Sequence, residues 1–119
     1  MNLGRKISGG KYQQQRKKKL YERPGQKRIA KLGEDKRKSQ KVRGGTRKVF
    51  LLKAKTINLV LNGKSTKAEI KNVVETPSDR FLARQNVLTK GTIVETDKGR
   101  AKITNRPTQE GVLNGILLK

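Results

Sequence analysis

Apolar residues are unevenly spread along this chain of 119 residues. Up to position 43 they stand singly or in pairs among charges and glycines; beyond it they gather into short runs separated by turn residues. The runs "KVFLLKA" (48–54) and "TINLVL" (56–61) are aliphatic and β-branched, a composition that suits a pleated, half-buried surface. Asn62-Gly63 follows at once. Asn-Gly favours a type I′ turn, in which both central residues take positive φ, so the chain is expected to reverse into "STKAEIKNVVE" (65–75). "NVLTKGTIVET" (86–96) reads as a further strand interrupted by Gly91, and "DKG" (97–99) as a turn. "RAKITN" (100–105) alternates, with Ala101 and Ile103 on one face, and ends before Pro107; "GVLNGILLK" (111–119) is the last strand. Between these, Ser78 and Asp79 are placed to cap a short helical turn after Pro77, with Phe81 and Leu82 plugging one end of the fold. Closely spaced strands with glycines inside them predict an all-β fold: a small antiparallel β-barrel, with Gly91 and Gly115 at bends or bulges.

The first 43 residues carry too few apolar groups to offset the cost of ordering them, about 1–2 kcal/mol of backbone entropy per residue. They are expected to form a long, basic, extended N-terminal arm, disordered until a polyanion neutralises it. Within it, "QQQRKKKLYE" (13–22) has helix formers but is stopped by Pro24-Gly25. "GEDKRKSQK" (33–41) is polar all round, so a helix there needs an outside partner. The division is therefore residues 1–43 as a basic RNA-binding extension and 44–119 as the barrel domain.

Charge changes this picture from a fold to a function class. Lys and Arg number 31 against 9 acids, a net charge of +22, and such a one-signed charge calls for a polyanion. Nucleic acid is the first candidate. A membrane surface would want a basic helix with a strong apolar face, and none is present. No apolar run reaches the roughly 18 residues of a membrane span, and "MNLGRKISGG" lacks the apolar stretch of a signal peptide. The chain has no Cys and no His, which removes disulfides, thiolates, the usual zinc sites and imidazole chemistry. No serine has a base nearby in sequence, Glu34-Asp35 is offset by the surrounding cations, and no P-loop is present. No enzyme, metal, cofactor or small-molecule substrate is expected. A free RNA-processing enzyme and a DNA-compacting protein are the readings from other classes; the first lacks an acid–base set, the second needs only charge.

Candidate contacts follow the basic clusters. In "KVRGGTRK" (41–48), Lys41, Arg43, Arg47 and Lys48 surround Gly44-Gly45. The glycines let the backbone approach a phosphate with its N–H groups as donors, or they are a flexible hinge where the arm meets the barrel. Arg16, Lys17, Lys18, Lys19, Arg23, Lys27 and Arg28 crowd "QQQRKKKLYERPGQKR", with Arg37 further on. Tyr12 and Tyr21 either stack on unpaired bases or pack locally. Arg80 and Arg84, four apart, share a helical face and either reach phosphate or pair with Asp79.

The stretches "GRKISGG", "VRGGTRKVFLLKA", "NVVETPSDRFLARQNVLTKGTIVET" and "KGRAKITNRPTQEGVLNGILL" together resemble the eighth small-subunit ribosomal protein of the archaeal–eukaryotic lineage. The length resembles the archaeal members, which lack a long eukaryotic insertion. The resemblance implies a β-barrel and a basic extension buried against small-subunit ribosomal RNA, beside neighbouring small-subunit proteins. It also implies a structural, cytoplasmic, ribosome-bound role. Carried over onto this chain, the RNA-facing candidates are Arg5 and Lys6, the turn Ser8-Gly9-Gly10 with Lys11, and 43–48. Relatives acting in ribosome assembly, with a similar barrel, supply the alternative.

Overall fold

The computed structural model describes residues 4–13 and 15–118. Its strands, in chain order, are β1 (Lys31–Leu32), β2 (Lys36–Lys41), β3 (Arg47–Ala54), β4 (Thr56–Leu61), β5 (Lys64–Glu75), β6 (Ile93–Thr96), β7 (Gly99–Ile103) and β8 (Asn114–Leu117). A short helix, α1 (Arg80–Arg84), lies between β5 and β6, and a single 3₁₀ turn spans Leu20–Glu22.

β4 to β8 form a closed barrel. Successive strands pair antiparallel, and the barrel is sealed by one parallel pair in which Asn58, Leu59 and Val60 of β4 face Asn114, Gly115 and Ile116 of β8. The expected all-antiparallel barrel is thus correct for every seam but this one. Asn62 and Gly63 take φ of 49° and 77° and join β4 to β5, as an Asn-Gly hairpin turn requires. Asp97-Lys98 join β6 to β7, where the Thr96 hydroxyl donates to Gly99 O at 2.7 Å.

Ile57, Leu59, Ala68, Ile70, Val73, Leu88, Val94, Ala101, Ile103 and Leu113 fill the interior. In β5 the inward positions run 68, 70, 73, so the step of two becomes a step of three. Register shifts between Ile70/Asn72 and between Val73/Glu75 mark the extra residues. Bulges of this kind bend and twist a strand, which a long strand wrapping a narrow barrel needs. Gly115 serves closure directly: a Cβ there would meet Ile57 Cδ1 at 2.8 Å and Lys102 O at 2.9 Å.

β1, β2 and β3 make a second sheet in the order β1-β3-β2. It shares the barrel's core, because Ala30, Leu51 and Ala54 belong to the same buried cluster. Backbone bonds fasten it: Leu51 N–H donates to Pro107 O (3.0 Å), Leu88 N–H to Ala30 O (2.8 Å) and Leu32 N–H to Asn86 O (2.9 Å). Asp35 locks the corner between β3 and β4, its carboxylate accepting from Lys55 N–H at 2.8 Å.

Several expectations are corrected. The division at 43/44 falls inside the β2–β3 turn, so Gly44-Gly45 are a hairpin tip and not the point where an arm leaves the barrel. An extended arm does not run to residue 43, because residues 30–41 supply a core side chain and two strands. "GEDKRKSQK" is strand rather than partnered helix, its backbone satisfied by β3. Phe81 does not plug the barrel, being 58% exposed; buried Leu88, in the loop before β6, is in the core instead.

Two glycine variants separate two kinds of constraint. Gly115→Ala overpacks the barrel seam and is expected to cost about 1–3 kcal/mol in urea unfolding. Gly44→Ala meets no atom within 4 Å but must hold φ near +84°. Its cost, about 1–2 kcal/mol of backbone strain, should appear in amide exchange around the turn and not in the global transition.

Candidate nucleic-acid interface

The β2–β3 hairpin concentrates positive charge because of its register. Lys41 stands opposite Arg47, Gln40 opposite Lys48, and Lys36 opposite Lys53. Like charges directly across a ladder repel, so the outer rung, Lys41 with Arg47, opposes the hairpin that holds it. The face-sharing pairs then divide the cations. Lys41, Arg47 and Arg37 point to one side of the ribbon, Lys48 and Lys38 to the other, and Arg43 occupies the turn.

Val42 N–H donates to Thr46 O at 2.8 Å and closes the turn around Arg43-Gly44-Gly45. Gly44 and Gly45 take φ of 84° and 80°, and an added Cβ at either would meet nothing within 4 Å. Among the described residues, neither glycine N–H has a backbone acceptor. Two successive left-handed residues present their N–H groups from an open loop ringed by cations, an arrangement suited to an anionic oxygen.

A second Gly-Gly turn lies near the N-terminus. Gly9 N–H donates to Lys6 O and Lys6 N–H to Gly10 O, both at 2.8 Å, with Arg5 bridging to Lys11. Ser8, Gly9 and Gly10 form the turn expected of them, and Gly9 has φ of 80°. All of 5–11 is exposed. Lys6 Nζ lies 5.8 Å from the Tyr12 ring, and Lys19 Nζ 5.9 Å from that of Tyr21.

The candidates between these turns differ in availability. Lys17, Lys18, Lys19, Arg23 and Lys27 are exposed. Arg16 is engaged by Glu22 through two bonds of 2.8 and 2.5 Å. That contact, then the Lys19 N–H, holds the Glu22 carboxyl below the ordinary carboxylate range and raises Arg16. Arg28 is built into the fold: its guanidinium lies 3.9 Å from the centroid of buried Phe50 and donates to Gln40. Arg80 and Arg84 are exposed on α1, away from the hairpin in sequence, and neither forms an ion pair with Asp79.

Sequence reasoning passed over Lys36, Lys38 and Lys53, which the register brings to the same hairpin. A polar strand has no apolar alternation to reveal it; the only signal was the reversal at Gly44-Gly45 ahead of an obvious strand. Among the described residues, salt bridges are confined to Arg16–Glu22 and Lys55–Glu69 (3.4 Å), so most of the positive charge has no internal partner. No cluster of metal-ligating residues occurs among them, and no helix is long and apolar enough to cross a membrane.

Comparison with known proteins decides the family. The ribosomal protein S8e family matches residues 2–118. This chain belongs to the ribosomal protein S8e family. Curated relatives named small ribosomal subunit protein eS8 agree. That of Nanoarchaeum equitans is 43% identical over 117 residues, and that of Staphylothermus marinus 46% over 118, each covering 97% of this chain and 92% of the relative. That of Methanosarcina barkeri is 38% identical over 117 residues, covering 97% and 94%.

Two measurements probe the local electrostatics. Lys41→Glu turns the outer repulsive rung into an attractive one and should stabilise the hairpin by roughly 0.2–1 kcal/mol, seen as slower amide exchange at 42–46 in the free protein. For Glu22 the folded pKa is depressed. Its support of the 3₁₀ turn is therefore present above the ordinary carboxylate pKa and lost as pH falls through the lowered value. An NMR titration of Glu22 should have its midpoint below the usual range, and Arg16→Gln should move it back up.

Proposed function

We propose that this chain is a structural, non-catalytic component of the small ribosomal subunit that binds and stabilises small-subunit ribosomal RNA. The observation that carries the reading is the β2–β3 hairpin, whose tip sets Lys41 against Arg47 and surrounds two unpartnered glycine N–H groups with Arg43 and Lys48. No stable free protein gains from that arrangement; a phosphate at the tip converts repulsion into shared attraction. Membership of a ribosomal protein family supports ribosomal RNA as the source of the phosphates, and the names of the curated relatives support the small subunit.

On this reading the barrel is the rigid body. The hairpin tip and the Ser8-Gly9-Gly10 turn are two phosphate-binding turns, the first offering free glycine N–H groups and the second, whose Gly9 N–H is bonded to Lys6 O, offering the cations Arg5, Lys6 and Lys11. Lys17, Lys18, Lys19, Arg23 and Lys27 lie along the backbone of a neighbouring RNA segment and order against it, while Arg80 and Arg84 form a separate contact. Arg16 and Arg28 act mainly inside the protein, holding the 3₁₀ turn and the hairpin. The protein works bound to the ribosome in the cytoplasm, beside other small-subunit proteins.

The test is the dependence of RNA affinity on salt. Each phosphate contact on a nucleic-acid duplex contributes roughly 0.9 to the slope of log K against log salt, and somewhat less on a single strand. Changing Arg43, Arg47 and Lys48 together to Gln should lower that slope by about three units without changing the unfolding transition of the barrel. An unchanged slope makes the tip a solvated face. In cells, the wild-type chain should sediment with mature small subunits at moderate salt.

A further inference from the structure

We propose that Phe81, with Arg80 and Arg84 beside it, is a stacking platform for one unpaired RNA base, distinct from the phosphate-binding turns. The inference rests on the reading of the protein as RNA-binding and adds a second mode of contact to it.

The chain has two phenylalanines. Phe50 is 4% exposed and stacked by Arg28, whereas Phe81 is 58% exposed. Its exposure is enforced by the local structure. Asp79 adopts an extended backbone before α1 and its carboxylate accepts from Phe81 N–H at 2.9 Å, which sets the first turn. Asn86, at φ of 52°, ends the helix, and Val87 N–H returns to Leu82 O at 3.1 Å. Pinned at both ends, α1 turns Leu82 and Ala83 inward, where Ala83 packs against the core, and leaves Arg80, Phe81 and Arg84 outside.

The exposed set has the chemistry of a base-binding surface. The Arg80 guanidinium is 5.5 Å from the Phe81 ring centroid. Arg84 borders a shallow depression shared with Asn72 and Asn86, whose amides can meet a base edge. Asp79 has turned one carboxylate oxygen to the backbone N–H of Phe81. An aromatic face with the Arg80 guanidinium beside it, and Arg84 three residues on along the same helix, attracts a nucleobase, which offers a π-face of its own and brings a phosphate with it. An apolar protein neighbour would use the ring but leave both guanidinium groups desolvated and without anions, so the charge favours RNA.

The chain contains no Trp, so Phe81→Trp makes a single-tryptophan reporter. It would be titrated with a short oligouridine, whose bases are unstacked, and with a perfectly paired RNA duplex. Stacking should quench the indole emission of the Phe81→Trp variant with oligouridine and leave it nearly unchanged with duplex. In parallel, Phe81→Ala should weaken oligouridine binding about 5- to 100-fold, as expected for loss of one base–aromatic stack, with duplex affinity and salt slope unaltered. Phe81→Leu should lose as much as Phe81→Ala. If Leu restores binding, or if Ala binds oligouridine like wild type while duplex binding persists, the platform is refuted and the ring is an apolar contact for a protein neighbour. If wild type binds neither RNA, the broader RNA-binding reading fails first, and that result is separable from the others.

Discussion

Closure of the barrel along the β4–β8 seam is the constraint on which the rest of the molecule depends. A barrel of five strands is narrow, and its interior admits few large side chains. At the seam, Gly115 lets β8 lie so close that Ile57, Leu59 and the Lys102 carbonyl occupy the space a side chain would need. With the seam sealed, no strand of the barrel is left with an unpaired edge, and side chains such as Leu59, Leu88, Val94 and Ile103 are fully excluded from water. A chain carrying a charge of +22 has to hold its core against strong self-repulsion, and sealing it completely is how so small a core suffices.

The second sheet then uses the barrel as its foundation. The inner half of β3 is apolar and bonded to the barrel through Leu51 and Pro107, while β2 opposite it stays polar and exposed. The outer half is cationic and projects from it. Stability decreases along one short ribbon, from a core residue at Leu51 to a repulsive rung at Lys41 and Arg47, over only a few residues. Such a gradient suits a member of a ribosomal protein family, whose outer rung is completed by the RNA proposed to seat on it.

How much of this was legible in the sequence depended on which signal each element carries. The barrel strands announced themselves through β-branched runs and the Asn62-Gly63 turn, since burial imposes alternation and the turn imposes residue type. The bulges of β5 were invisible, because one extra residue between Ile70 and Val73 breaks the very period by which a strand is found. β2 reads in sequence as part of an arm because "KRKSQK" buries nothing; its strand character resides wholly in backbone pairing with β3. The basic clusters were visible, but charge alone could not tell Arg43, free at a turn, from Arg28, stacked on Phe50, or Arg16, held by Glu22. Those distinctions are made by neighbours distant in sequence or by local folding. Phe81 was misplaced for the converse reason: hydrophobicity suggests burial, and only the packing of α1 shows which side of it faces outward.

The stacking of Arg28 on Phe50 has a kinetic consequence. It clips the start of the second sheet just before Ala30, so the preceding residues are tethered at a fixed point on the hairpin. On the proposed reading, with the Gly44-Gly45 tip seated on RNA, the N-terminal Gly-Gly turn no longer searches bulk solvent. It samples a small volume set by its tether, where its effective concentration is on the order of millimolar. Dissociation then requires both turns to let go before either rebinds. On that reading two individually weak grips act as one long-lived attachment, whose lifetime is governed by tether length as much as by the contacts themselves.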